Sequence, residues 1–211
     1  MRFSVLGATA IAAALLWGPR ARATPPRAVS ASGLVQPGDP VFGNPHGSIT
    51  IVDFYDTSCL PCRAMNQRIE RLIARDPQIR YVPIDMPILG AQSELAAKAL
   101  VAAARQGRFP AMQQRLLTQS HLPTPALLRA DAASLGFNMP RFERDLASAA
   151  TARAIAARLR WGATLGIHYV PIIYIGRNRI PGSMSYKDLL WLVAHAHQQL
   201  LTEVATPPAH S

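Results

Sequence analysis

The chain has 211 residues, 49% of them hydrophobic, so one domain with a substantial core is expected. Gly and Pro number 13 and 18, too few for a collagenous or low-complexity chain, and the longest apolar run is too short for a polytopic membrane protein. The formal charge is +10, with Lys98 and Lys187 the only lysines. The arginines are scattered singly, without the clustered basic and aromatic platform of a nucleic-acid binder, so no nucleic-acid partner is expected.

Arg2, an apolar stretch from Phe3 to Trp17 and Ala21-Arg22-Ala23 form the pattern of a cleaved export signal over 1–23. An uncleaved N-terminal membrane anchor is the alternative. Residues 24–47 hold five prolines and four glycines without sustained periodicity, and are expected to be a lead-in. From Ser48 the pattern changes. Ile49–Tyr55 is a β-branched and aromatic run of the buried-strand kind. Asp56, Thr57 and Ser58 supply turn and capping chemistry. After Cys59-Leu60-Pro61-Cys62, residues Met65, Ile69, Leu72 and Ile73 fall at helical spacing. Pro61 suits a helical first turn, and Pro77 ends the helix. Ile79–Asp85 is the next strand, giving a βαβ unit.

A helical section follows. Ser93 is expected to cap a helix over 94–105. Further helices are expected over 109–117, from Pro125 to Gly136, from Pro140, and over 149–165. Their apolar stripes are read as core. Residues 170–175 form a strand, 176–179 a turn, and 180–182 its pairing strand. Ser185 and Asp188 resemble a capping box for a final helix. His195 and His197 lie two apart on that helix, the wrong spacing for a metal pair, and are expected to face solvent.

The chemistry lies in the chain's two cysteines. A helix N-terminus stabilises thiolate through its dipole and free N–H groups, which places Cys59 for attack. Cys62, one turn on, is placed to resolve a mixed disulfide. A zinc site lacks its second ligand pair. A purely structural disulfide closing so short a loop adds little. A Cu(I) thiolate site with Met65 nearby is chemically possible. Asp53, inside an apolar strand, is either a buried acid able to take a proton from Cys62 or a strand-end Asp with a hydrogen-bond partner. Val170-Pro171 enters a strand, where a cis bond would leave the Val170 backbone free for an extended substrate.

Val52-Asp53-Phe54 with Cys59-Leu60-Pro61-Cys62-Arg63-Ala64-Met65 resembles the thioredoxin active-site segment. The intervening helices, Pro87-Ile88-Leu89-Gly90 and Gly166-Ile167-His168-Tyr169-Val170-Pro171 resemble the DsbA-like branch of that superfamily. The resemblance implies an α/β thioredoxin fold over 48–199, a mixed sheet flanked by helices, with an all-helical insertion at about 90–165 and a tail over 200–211. It also implies a nucleophilic Cys59, a resolving Cys62, a buried acid at Asp53 and a cis-Pro171 facing the dithiol. The activity implied is protein thiol–disulfide exchange in the periplasm, in the direction of disulfide formation, with Leu60, Pro61, Val170 and Pro171 contacting substrate. A membrane or soluble redox partner would reset the dithiol. No cofactor and no metal is expected, and the chain would be a monomer. One departure bears on direction: Leu60-Pro61 replaces the Pro-His pair of that branch, so no imidazolium stabilises the Cys59 thiolate, and the protein should be a weaker oxidant. A reductase of one dedicated partner and a non-enzymatic Cu(I)-binding or chaperone module are the alternatives.

Overall fold

The computed structural model describes residues 29–205, so the expected export signal lies outside the described residues. The order is a 3-10 turn Ala31–Leu34, then β1 (Phe42–Gly43), β2 (Ile49–Tyr55), α1 (Leu60–Arg75), β3 (Ile79–Asp85), α2 (Ala91–Ala104), α3 (Phe109–Thr118), α4 (Pro125–Ser134), α5 (Met139–Ala147), α6 (Ala149–Thr164), β4 (Ile172–Ile175), β5 (Asn178–Pro181) and α7 (Tyr186–Ala205). The strands form one mixed sheet in the order β1-β3-β2-β4-β5. β2 and β3 are parallel, with Ile49 opposite Ile79 and Tyr55 opposite Asp85. β4 lies antiparallel on the other side of β2, and β5 returns against β4 as a hairpin.

The central position of β2 explains why every residue of it is apolar, aromatic or hydrogen-bonded: all seven are buried. Alternation along the strand divides them between two cores. Ile49 and Ile51 pack with Met65, Ile69 and Leu72 of α1 and with Leu189 and Val193 of α7. Val52 and Phe54 face the other side, where Leu34, Ile167 and Tyr174 meet them. Five helices stand between β3 and β4. Their apolar stripes meet one another in a third core that includes Leu100, Met112, Leu128 and Phe142. The chain therefore has the expected fold: a mixed sheet flanked by helices, with a helical insertion.

Several boundaries differ from the sequence reading. The 24–47 lead-in is not merely a linker. Phe42 and Gly43 pair with Tyr81 and Arg80 as an edge strand, and Ala31 and Leu34 are buried. Ser93 does not cap α2, which begins at Ala91 behind Gly90. Its hydroxyl is instead claimed by a buried carboxylate. β4 starts at Ile172, because Val170 and cis-Pro171 precede the ladder. β5 starts at Asn178, since a two-residue turn at Gly176 and Arg177 suffices. The last helix runs to Ala205, past the expected end of the domain at 199, and Leu200 packs partly against the core. The histidines of α7 are half-buried and engaged. His197 Nε2 lies 3.1 Å from Asp76 Oδ2, while His195 stacks on Trp191 and meets Gln199. The Ser185–Asp188 capping pair is present.

Candidate active site

The site is built where β2 ends and α1 begins. The strand delivers the chain to Asp56, and a turn follows in which the Cys59 N–H donates to the Asp56 carbonyl at 3.1 Å. Cys59 is the N-cap of α1 in extended conformation, and its sulfur accepts from the Cys62 N–H at 3.2 Å. Pro61 stands in the first turn, where its missing N–H leaves no bond unmade. Cys59 and Cys62 form a disulfide with Cα atoms 5.2 Å apart. Cys59 is 5% exposed and Cys62 wholly buried. A reagent therefore reaches the first sulfur before the second.

Three distant segments close around the pair. Tyr55, Leu117 and Val170 pack against it. The Val170–Pro171 bond is cis, and Cys59 Sγ lies 3.8 Å from the Val170 carbonyl oxygen. Val170, one of the two substrate-contact candidates of the 166–171 segment, thus meets the dithiol across 111 residues of sequence, with Pro171 next to it in the chain. The other two, Leu60 and Pro61, are exposed beside it, Leu60 at 73%.

Asp53 is buried on the α1-facing side of β2, in the alternation of Ile49 and Ile51. The Tyr81 hydroxyl donates to its Oδ2 at 3.1 Å, and Oδ1 has no partner among the described residues. Burial raises its pKa to about 7, against a smaller lowering by the Tyr81 bond. It is both buried and hydrogen-bonded, at an interior position of β2 rather than a strand end. The same burial, with the neighbouring Asp56 charge, pushes Asp85 well above the carboxylate range.

Two residues escaped the sequence reading as site residues. Asp56 was assigned turn chemistry alone. Its carboxylate in fact accepts four bonds: Oδ1 from the Ser58 N–H and Ser93 hydroxyl, Oδ2 from the Ile88 and Leu89 N–H groups. Arg63 lies in the first turn of α1. It donates to the carbonyls of Thr57 at 2.7 Å and Gln119 at 2.6 Å, tying the redox turn to the end of α3. The Asp56 bonds to Ile88, Leu89 and Ser93 and the Arg63 bond to Gln119 span 32 to 56 residues, so no spacing rule could show them. Among the described residues, no group of three or more His, Cys, Asp or Glu side chains is placed to hold a metal. No described helix is long and apolar enough to cross a membrane.

The family model described as thioredoxin matches residues 35–194. The chain belongs to the thioredoxin family. Among solved structures it is similar to a thioredoxin-like oxidoreductase from Silicibacter pomeroyi DSS-3, with 29% identity, TM-score 0.71, and coverage of 77% of this chain and 94% of that one. It is also similar to the thiol-disulfide exchange protein alpha-DsbA2 from Wolbachia pipientis, at 25% identity, TM-score 0.67, and 74% and 86% coverage. The catalytic domain of Proteus mirabilis ScsC, at 21% identity, TM-score 0.67, and 75% and 89% coverage, shares the fold. The disulfide at the head of α1 thus stands in a thioredoxin-family chain whose fold is similar to that of DsbA-like thiol–disulfide oxidoreductases. Among curated proteins it is 28% identical over 208 residues to the Na(+)/H(+) antiporter NhaA 3 of Salinispora tropica, covering 95% of this chain and 32% of that protein. A second, the NhaA antiporter of Herminiimonas arsenicoxydans, is 29% identical over 146 residues, 69% and 23% of the two chains. The thioredoxin-family chain thus spans a third or less of the length of these curated relatives.

Proposed function

We propose that the protein is exported and introduces disulfides into protein substrates through Cys59 and Cys62. The observation that carries this is the disulfide at the head of α1, its outer sulfur beside the Val170 carbonyl and cis-Pro171. A substrate thiolate attacks Cys59 Sγ, the Cys59–Cys62 bond breaks, and Cys62 departs as thiolate and takes a proton. A second substrate thiolate then attacks the substrate sulfur and releases Cys59. Two substrate thiols are oxidised to a disulfide, and two electrons rest on the dithiol until a redox partner removes them. In the reverse direction Cys62 resolves the mixed disulfide, and Asp53 receives its proton. Exposed Leu60, between the cysteines, and exposed Tyr169 (50%), next to Val170, suit unfolded, apolar chain. The Val170 backbone, beside cis-Pro171, pairs with that chain in extended form.

In this reading 1–23 is a removed export signal, 48–199 the catalytic domain, and the protein acts in the periplasm as a monomer. Leu60-Pro61 leaves the Cys59 thiolate without an imidazolium, so the oxidant is a mild one. A dedicated membrane partner is the second reading, favoured by the relatives named as antiporters, of which this chain matches a third or less.

The test equilibrates the chain in glutathione buffers and then offers it a reduced, unfolded disulfide protein. Wild type is expected to exchange and to oxidise the substrate. Cys62→Ser is expected to accumulate a mixed disulfide through Cys59, and Cys59→Ser to do nothing. A thioredoxin-like potential would reverse the direction in favour of a reductase. Exchange that survives Cys59→Ser overturns the reading, and tight Cu(I) binding without exchange would replace it.

A further inference from the structure

Asp56 holds a fixed charge in the floor of the redox turn. Its side chain is completely buried. All four of its bonds come from neutral donors: the Ser58, Ile88 and Leu89 amides and the Ser93 hydroxyl, at 2.8 to 3.2 Å. No cation pairs with it among the described residues, since no ion pair includes it and the nearest guanidinium on the same turn, Arg63, is spent on the carbonyls of Thr57 and Gln119. These four neutral donors fill its acceptor positions without cancelling its charge, which acts on the neighbouring Asp85. One of those bonds holds the amide of Ser58, the residue before Cys59. Another holds the Leu89 amide, from the segment between β3 and α2.

We propose that Asp56 is a positioning residue that sets the acidity of Cys59: its uncancelled negative charge opposes the Cys59 thiolate, and so holds the reduced protein less acidic than the helix N-terminus alone would make it. The proposal rests on Cys59 being the reactive cysteine. A like charge within the low-dielectric turn disfavours thiolate formation. A less stable thiolate favours the disulfide and makes a milder oxidant, the same sense as the absence of a His between the cysteines. The other ionisable groups at this end of the sheet include Asp53 and Tyr55 on β2, Asp85 on β3, Arg63 on α1 and Arg158 on α6, which acts on Asp85, with exposed His168 before Val170. Burial raises the pKa of both Asp53 and Asp85, and Asp56 is the carboxylate closest in sequence to Cys59.

The experiment uses the full chain with Cys62→Ser, so that only Cys59 titrates, and follows thiolate absorbance in the ultraviolet against pH. Asp56→Asn is expected to make Cys59 about tenfold more acidic, one pKa unit. Ser93→Ala removes a donor but keeps the charge, and is expected to leave the acidity unchanged or slightly lower it. If charge is the cause, Asp56→Asn alone makes Cys59 more acidic. If Asp56 serves only to order the turn, both move Cys59 the same way or neither moves it, and the proposal is overturned. Should Asp56→Asn fail to fold, Asp56→Ser removes the same charge: a rise in Cys59 acidity supports the proposal, and an unchanged or lower acidity overturns it. Failure of the exchange reading is separate: wild type would then not equilibrate with glutathione, whatever the titration shows.

Discussion

Asp53 sits under the redox helix with one oxygen on the Tyr81 hydroxyl and the other unpartnered among the described residues. Its pKa of about 7 against 3.8 has a stability consequence of fixed sign. The folded state binds the proton more tightly than the unfolded chain. The contribution is therefore complete below pH 3.8 and is lost as pH rises through about 7. The loss is on the order of 4 kcal/mol at most, since each pKa unit is worth about 1.4 kcal/mol. Asp53→Asn is expected to flatten this: denaturation series at pH 4 and pH 8 should differ less in the variant than in wild type. The same residue has a kinetic signature. If Asp53 takes the Cys62 proton, resolution of a Cys59 mixed disulfide should accelerate as pH rises through 7. Asp53→Asn should slow it at least about tenfold and remove that rise. An unchanged stopped-flow profile would leave Asp53 with a structural role only.

At the scale of elements, β1 shows how little strand is needed when its geometry is exact enough to replace length. Gly43 has φ +71°, and a Cβ there would stand 2.6 Å from the Ile79 carbonyl oxygen. The position demands both the left-handed conformation and a missing side chain. Gly43→Ala is expected to cost about 2 kcal/mol or more, from the left-handed penalty and the close approach together. Urea denaturation reads this directly, and a loss below about 0.5 kcal/mol would show that the edge strand can move aside. In β2, α1 and β3 the local pattern matched the tertiary outcome, because a strand buried on both faces and an amphipathic helix each write their environment into their own residues. In β1 two residues carry no period to read.

Over the whole molecule, the segment before Ser48 joins the two sides of the sheet. The Ala31 N–H donates to the Gly176 carbonyl, Leu34 fills the core under Val52 and Phe54, and Phe42 stacks between Tyr81 and Phe109 at 5.9 and 6.3 Å. A chain beginning at Ser48 is therefore expected to lose at least roughly 3 kcal/mol, or about 10 °C in Tm. Calorimetry of the two lengths decides it, and equal midpoints would return the segment to the status of a linker.

The residues alone determined the strand–dithiol–helix–strand unit, the helical insertion and the reactive pair, because each depends on neighbours within about one helical turn or one strand. They marked Asp53 as unusual, since an acid in an apolar run has few reasons to be there. What only the tertiary structure decided is everything bonded across long separations. The cis Val170–Pro171 bond meets Cys59 across 111 residues. Ser93 leaves its expected cap for Asp56, 37 residues away. Arg63 reaches Gln119 across 56, and the lead-in becomes an edge strand. The physical reason is common to all four: a buried polar group must find a partner, and which partner it finds is set by where the fold brings the chain, which no local period records.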